Sequence, residues 1–203
     1  MPAALADAIS DAKKQRALLR ASDLGVPAYA LVHAEAGGII ERVVQGVYLP
    51  SGARRELLTE AAAWCLRQPA SVCAMLTAAA YHDLTDAFEQ GTWLFVPKGA
   101  SPPRSSVSVV RTMVLSPLLL VGDDAELGIE TVVVHRVPMR ITGADRTVLD
   151  LWRYPKVVAR EHALAALRRH TRRKGFRLPV FARIAKRIGV WKTVEPVLQG
   201  MLA

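Results

Sequence analysis

The spacing of apolar residues changes character twice within the first fifty positions. Over residues 5–20 the apolar residues recur near helical spacing, and the basic side chains of this segment lie on the other side. Leu31 and Ala34 follow at i and i+3, the spacing of one helix face. Over residues 39–48, two β-rich runs surround Gln45 and Gly46, a pair typical of a tight turn. The pattern predicts two helices followed by two short strands.

The residues at the ends of these segments favour a helix-turn-helix. Ser22 is a good N-cap for a short helix that Gly25 would end. Pro27 suits the first turn of the next helix, because its missing N–H would have no partner there. Gly37 and Gly38 would stop that helix before the strands. Together these signals predict a winged helix-turn-helix over residues 1–50, a module that places its second helix in the DNA major groove.

The remaining positions, 51–203, mix helical and strand periods and predict a second domain. The expected fold class is therefore α+β: an N-terminal winged helix-turn-helix followed by a small mixed-sheet domain with C-terminal helices. Pro69 would end the first helix of the second domain, Ser71 would cap the next, and Thr142 or Asp145 would begin a later one. The predicted helices are 55–67, 71–81, 142–154, 157–170, 178–188 and 191–202, and the predicted strands are 93–96, 107–110, 131–137 and 139–142, with Pro138 at the last junction.

The composition is that of a globular chain. Hydrophobic residues make up 51% of the 203 residues, enough for a buried core. The chain has no run of about 18 apolar residues that would predict a membrane span, and no apolar N-terminal segment that would predict a signal peptide. Cys65 and Cys73 lack the spacing of a metal site and predict reduced, buried thiols, with a disulfide between them the less favoured alternative. The expected location is the cytoplasm.

Positive charge is concentrated towards the C-terminal end. Positions 151–192 contain 13 Lys and Arg residues but one acidic residue, Glu161. Bases at the end of a helix interact favourably with its dipole, and Gly175 is typical of a helix stop, but this excess is more than a dipole requires. We therefore predict a surface for a polyanion, which could be DNA, RNA or an acidic protein surface. The members of this predicted basic patch are Arg168, Arg169, Arg172, Arg173, Lys174 and Arg177.

The first fifty residues, in contrast, carry five Lys or Arg and five Asp or Glu. DNA-binding modules are usually basic, so a purely structural helix-turn-helix remains an alternative. If the module binds DNA, Tyr29 and His33 would face the major groove, and Ala28 would allow close approach at the helix start. The other predicted DNA-binding residues are Ser22 at the start of the motif, Arg42 and Gln45 for the adjacent backbone or minor groove, and Lys13, Lys14 and Arg16 for phosphates.

The sequence contains no P-loop, G-x-S-x-G or H-E-x-x-H pattern, and its histidines lack ligand spacing. Arg146 and Asp150 lie at i and i+4, and we interpret them as a partly buried ion pair rather than a catalytic couple. His82 follows an alanine-rich helix and is expected to cap it or to bond locally. We predict that the protein is not an enzyme and needs no metal or cofactor.

Four blocks of sequence occur in a fixed order along the chain. They are GGIIERVVQGVYLP at the end of the predicted winged helix, PASVCAMLTAAAYHDL at 69–84, TWLFVP at 92–97 and VPMRITGADRTVLDL at 137–151. Together, at these spacings, they resemble the AbiEi-type antitoxin and regulator family of bacterial type IV toxin–antitoxin systems. The resemblance extends to about Tyr154, and the basic C-terminal helices match the family in general character.

The resemblance implies an N-terminal winged helix and a C-terminal α/β domain. It implies repression of the protein's own promoter at an inverted repeat in double-stranded DNA, and opposition to a nucleotidyltransferase-type toxin through the C-terminal domain, without a stable direct complex. Binding to a two-fold repeat would involve a homodimer or two monomers. The family often has Arg where this chain has His33 and Gln45. A protein- or RNA-binding antitoxin that acts through the basic patch, with the winged helix only structural, is the alternative.

Overall fold

The computed structural model describes residues 1–86, 91–103 and 108–202, and these residues form an α+β fold, as predicted. The helices are α1 (Ala3–Gln15), α2 (Ala28–Ala36), α3 (Thr59–Arg67), α4 (Met75–Tyr81), α5 (Asp124–Leu127), α6 (Ala144–Arg153), α7 (Arg160–Thr171), α8 (Leu178–Arg187) and α9 (Trp191–Leu202). The strands are β1 (Leu19–Arg20), β2 (Ile40–Val44), β3 (Val47–Pro50), β4 (Val72–Cys73), β5 (Thr92–Pro97), β6 (Val110–Leu115), β7 (Ile129–Val134) and β8 (Val137–Thr142). Short 3-10 turns occupy Ala21–Asp23 and Pro117–Leu119.

A small antiparallel sheet in the first fifty residues has the strand order β1-β3-β2. Its β2–β3 hairpin turns at Gln45 and Gly46, as predicted, and Gly46 has a φ of +77°, a left-handed conformation that glycine adopts freely. On the other side of β3, Leu19 of β1 lies opposite Tyr48. The early strand β1 thus completes the sheet on which α1 and α2 pack.

A larger, mixed sheet has the strand order β6-β5-β4-β8-β7. β4 pairs antiparallel with β5 and parallel with β8, while β5–β6 is parallel and β7–β8 is antiparallel. The β7–β8 hairpin turns at His135 and Arg136, both of which have positive φ, as a two-residue connection between twisted strands requires. Pro138 therefore lies inside β8 and not at the predicted junction of the two strands.

Three clusters of buried side chains connect these elements. The N-terminal cluster, which includes Leu5 and Leu31, joins α1 and α2 to one face of the small sheet. The middle cluster joins the other face of the small sheet to α3 and to one face of the large sheet. The C-terminal cluster joins the opposite face of the large sheet to α4 and α6–α9. Alternation along β5 separates the last two, because Leu94 belongs to the middle cluster and its neighbours Trp93 and Phe95 belong to the C-terminal cluster.

This layering places α2 and the C-terminal helices on opposite sides of the large sheet. The middle cluster also crosses position 50, because Val44 and Leu49 pack there with Trp64 and Met139. The two predicted domains, 1–50 and 51–203, therefore share a buried core, and the boundary between them stays a prediction.

The predicted short helix with Ser22 as its N-cap is wrong. Because β1 pairs with β3, the chain stays extended up to the 3-10 turn Ala21–Asp23, which fits before Gly25. Ser22 lies inside this turn, and its hydroxyl donates to the Asp23 carboxylate at 2.8 Å instead of accepting from a helix N–H. Pro27 occupies the N-cap of α2 rather than its first turn.

Two helix ends differ from prediction for local reasons. α1 ends at Gln15, not at residue 20, because Arg16 takes a left-handed conformation with φ +54° and the next residues enter β1. α3 begins at Thr59, not at residue 55. The Thr59 hydroxyl accepts from the Glu56 N–H at 2.7 Å, which fixes a turn ahead of the helix.

The predicted caps of two later helices are also wrong. Ser71 is buried and precedes β4, a strand that its own sequence does not indicate, and α4 begins only after Ala74. Pairing with β5 and β8 accounts for this strand, because strand formation depends strongly on neighbours. Gly143, rather than Thr142 or Asp145, is the N-cap of α6.

The predicted strand 107–110 differs from the strand in the structure. Position 107 lies outside the described residues, and β6 begins at Val110, the last position of the predicted strand.

Candidate nucleic-acid interface

Helix α2 has one buried and one exposed face. Ala30, Leu31 and Ala34 are buried, whereas Tyr29 and His33 project to solvent on successive turns. The Tyr29 side chain is 65% exposed, and its ring meets the His33 ring edge-on, with 6.3 Å between the ring centroids. Two of the predicted DNA contacts therefore stand together on one accessible helix face.

Arg42 ties α2 to the β2–β3 hairpin. Its Nη2 donates to Oε2 of Glu35 in α2 at 2.5 Å, and its Nη1 donates to Oε1 of Gln45 at 3.4 Å. The guanidinium also lies 5.5 Å from the centroid of the Tyr48 ring. These contacts occupy Arg42 within the protein, so its predicted contact with DNA would require the pair with Glu35 to open. Gln45 and Ala28, at the start of α2, are exposed.

Lys13, Lys14 and Arg16 lie at the C-terminal end of α1, and all three are exposed. Lys14 pairs with Asp11 at 3.6 Å, an exposed pair of small energetic weight. The Arg16 carbonyl accepts from Nδ1 of His135 at 2.9 Å. This contact sets the end of α1 against the β7–β8 hairpin.

Two members of the predicted basic patch have structural partners. Arg169 donates to both oxygens of the Asp86 carboxylate, at 2.5 and 3.1 Å, and these hydrogen bonds lower the pKa of Asp86. Arg173 donates to the main-chain carbonyls of His82 and Asp83, at 2.5 and 2.7 Å. Both arginines hold the loop after α4 against the end of α7. Their role could not be found by spacing, because the partners lie 83 to 91 positions away.

The other members of the patch are exposed, and within the part of the chain that the structure describes none of them forms a salt bridge. They are Arg168, Arg172, Lys174 and Arg177. Helix α8 adds three exposed bases that the predicted patch did not include: Arg183, Lys186 and Arg187. We call these seven residues the C-terminal basic surface. It runs from the end of α7 through the following turn to α8.

The exposed face of α2 and the C-terminal basic surface lie on opposite sides of the large sheet. α2 packs in the N-terminal cluster, with the small sheet and the middle cluster between it and the large sheet. α7 and α8 pack in the C-terminal cluster, on the far face. The large sheet and the middle cluster therefore separate these two exposed surfaces.

Arg146 and Asp150 form an ion pair that is buried more deeply than we expected. Nε of Arg146 donates to Oδ2 of Asp150 at 2.7 Å, and neither side chain has any exposed surface. Nη1 of Arg146 also donates to the Leu127 carbonyl at 2.8 Å, which connects α6 to the end of α5. Burial raises the pKa of Asp150 even though Arg146 opposes this shift. The geometry is that of a structural pair, as we interpreted it from the sequence.

A cleft of about 330 Å³ beside the start of α6 contains a second polar pair. Nε2 of His170 lies 2.5 Å from Oδ1 of Asp145, and Nδ1 of His170 is buried without a hydrogen-bond partner. Nε2 is thus engaged by Asp145 and Nδ1 is shielded from solvent, so neither ring nitrogen is exposed to a molecule bound in the cleft. Nearby, His82 is the C-cap residue of α4, which is one of the two roles predicted for it, and its backbone N–H donates to the Ala78 carbonyl at 2.9 Å. Its side chain does not bond locally, because Nε2 donates to the distant Thr142 carbonyl at 2.8 Å. Among the described residues, no group of three or more His, Cys, Asp or Glu side chains could hold a metal ion.

Cys65 and Cys73 are free, buried thiols, as predicted. Burial raises the pKa of Cys65 to about 12 and the pKa of Cys73 well above its usual value. Burial therefore favours the protonated form of both thiols, as is usual for structural cysteines in an apolar interior.

No protein-family model matches the chain, and no curated protein matches it. Among solved structures, the crystal structure of the RV2827C protein from Mycobacterium tuberculosis is similar, with a TM-score of 0.55 at 15% sequence identity. The match covers 94% of this chain and 78% of the other. Among the described helices, none combines the length and the apolar character that crossing a membrane requires. At this identity the structural likeness shows a shared α+β fold and carries no information about activity.

Proposed function

We propose that the protein is a DNA-binding transcriptional regulator of the AbiEi-type antitoxin class, with residues 1–50 acting as a winged helix-turn-helix. One observation carries the proposal: the exposed aromatic face of α2 adjoins a two-stranded hairpin that Arg42 fastens to the same helix. The order helix, strand, 3-10 turn, helix and hairpin supports it, with the 3-10 turn in place of the first helix of the motif. The four sequence blocks support the assignment to this class.

In this proposal α2 is the recognition helix and enters the major groove. Tyr29 and His33 reach the base edges, where a phenol and an imidazole can each donate or accept a hydrogen bond. Ala28 lets the N-terminal end of α2 approach the phosphates, which favour that end of a helix. Gln45 meets the neighbouring backbone at the tip of the wing, and Arg42 keeps the wing at a set angle to α2.

Repression follows when the protein occupies its own promoter. An inverted repeat presents two equivalent half-sites, so two copies of the chain bind, as a homodimer or as monomers brought together on the DNA. Analytical ultracentrifugation with and without the operator duplex distinguishes these two cases. Two chains per duplex are expected in both.

The recognition helix is tested by gel shift with the protein's own upstream region and a scrambled duplex, at two salt concentrations. The wild type is expected to prefer the upstream region, and Tyr29→Ala with His33→Ala to reduce that preference at least about tenfold. Tyr81→Ala is the matched control, because Tyr81 is also an exposed tyrosine and lies at the end of α4. Unchanged preference in the double variant would remove α2 from the recognition role.

The position of the C-terminal basic surface favours a second function for that part of the molecule. Because the surface lies across the large sheet from α2, it suits the partner, an acidic protein or an RNA, through which the protein opposes a nucleotidyltransferase-type toxin. In a growth assay with the toxin, Arg172→Glu with Lys174→Glu is expected to lose protection while repression survives. Lys98→Glu, at another exposed lysine, is the control. Lost repression with intact protection would instead assign the surface to promoter DNA.

A further inference from the structure

A cleft of about 760 Å³ lies where the end of α1, the segment before α3 and the β7–β8 hairpin meet. Three exposed cations line it, Lys13, Arg16 and Arg54, and none of them forms an ion pair among the described residues. Arg55 also lines the cleft, but its charge is taken up by Glu41 at 2.5 Å. The cleft therefore concentrates positive charge that the protein itself leaves uncompensated.

Hydrogen bonds fix the wall of this cleft. The Thr59 hydroxyl accepts from the Glu56 N–H at 2.7 Å, which leaves its proton free to be donated to Nε2 of His135, 2.7 Å away. Nδ1 of the same ring donates to the Arg16 carbonyl at 2.9 Å. These bonds hold Arg16 at a φ of +54°, a conformation that costs energy for any residue except glycine. The backbone that carries this cation is thus positioned before any ligand arrives.

We propose that this cleft is a binding site for phosphate groups. Three like charges around one concavity repel each other, and a phosphate between them removes that repulsion and accepts charge-assisted hydrogen bonds. Glu56 is the acidic residue among the lining residues, so the balance stays positive. The volume falls in the range of about 300–1,000 Å³ that is usual for ligand sites. It accommodates a pyrophosphate or a short stretch of phosphodiester backbone.

The bound phosphate connects two parts of the chain. Lys13 and Arg16 belong to residues 1–50, whereas Arg54 belongs to the segment that leads into α3. Two sources can supply this chemistry, the DNA backbone and a small phosphorylated molecule. None of the residues that line the cleft belongs to α2, so either proposal can fail without the other.

The site is tested by isothermal titration of the full chain with inorganic pyrophosphate. Lys13→Gln with Arg54→Gln is expected to weaken binding at least about tenfold, since two charged partners are lost. Lys98→Gln with Arg111→Gln is the matched control, because it removes one exposed lysine and one exposed arginine that do not line the cleft. Thermal unfolding checks that all variants fold. Equal weakening in both double variants, or no binding by the wild type at millimolar pyrophosphate, would overturn the proposal.

Gel shifts with the same variants distinguish the two sources. If the DNA backbone supplies the phosphate, the cleft variant also loses affinity for duplex DNA and pyrophosphate competes with the duplex. If a small molecule supplies it, DNA affinity is unchanged while pyrophosphate binding still depends on Lys13 and Arg54. Both results support a phosphate site. Loss of promoter preference in the α2 variant is scored separately and bears only on the recognition helix.

Discussion

At the scale of single residues, Arg146 and Asp150 form a buried ion pair in which each charge depends on the other for its stabilisation. Both charges are removed from water, and they are compensated by their mutual contact and by the Leu127 and Leu119 carbonyls, which accept from Nη1 of Arg146. We expect Arg146→Met to lower the free energy of unfolding by about 3–5 kcal/mol, because Asp150 is left buried without its partner. Urea denaturation followed by circular dichroism measures this loss.

The double variant Arg146→Met with Asp150→Leu is the control for that prediction. It leaves no buried charge without a partner, so it should recover most of the lost stability. A double variant as unstable as the single one would mean that packing around α6, and not the stranded charge, sets the cost.

His82 predicts how stability depends on pH. Burial lowers the pKa of His82 in the folded state below the ordinary value. As the pH falls, the unfolded chain therefore takes up the proton first, at about pH 6.5. The stability contributed by the neutral ring is therefore present above that pH and is lost as the pH falls towards the lower pKa of the folded state. We expect the difference in Tm between wild type and His82→Gln to shrink as the pH is lowered from about 7.5 to about 5. A difference that stays constant would contradict this.

Between elements, a close approach occurs at Gly128, where α5 leads into β7. Its φ is +64°, and an added Cβ would lie 2.8 Å from Cβ of Arg146 and 3.0 Å from Cδ1 of Ile184. This glycine lets α6 and α8 pack against the turn. We expect Gly128→Ala to lower the free energy of unfolding by about 2–4 kcal/mol, as backbone strain and overpacking add.

Gly25→Ala is a matched control for Gly128→Ala. Gly25 has a φ of +60°, but an added Cβ would meet nothing within 4 Å. It should therefore cost only the strain of a left-handed alanine, about 1 kcal/mol. Equal losses in chemical denaturation of the two variants would show that the neighbours of Gly128 can move aside.

Across the whole molecule, the separation of the exposed face of α2 from the C-terminal basic surface makes a prediction about DNA length. A duplex of about 20 base pairs, two helical turns, holds two half-sites and little more. We expect Arg168→Glu with Arg172→Glu to bind such an operator duplex as tightly as the wild type, because both residues lie across the large sheet from α2. Fluorescence anisotropy measures the two affinities, and a tenfold loss in the variant would contradict the arrangement.

The predictions that were confirmed are those that depend on local geometry. Leu31 and Ala34 are buried on α2, and Val148 and Leu149 are buried on α6, because helix geometry puts residues three and four apart on one face. The turn at 45–46 follows equally from local chemistry. The ends of helices were harder to predict from the sequence. Ser22 is an example, because the pairing of β1 with β3 leaves room for only a 3-10 turn where a short helix was expected.

The chain's own pattern was enough to establish the α+β class, the face of α2 that remains exposed, and the excess of bases near the C-terminal end. Tertiary contacts settled which charges are free. Arg169 and Arg173 are taken up by residues 82–86, and Arg42 by Glu35, while Lys13, Arg16 and Arg54 are left around one cleft. The physical reason is one of range. Helix and strand periods arise between neighbours in sequence. Whether a charged side chain finds a partner depends instead on its neighbours in space, which here come from segments up to 91 positions apart.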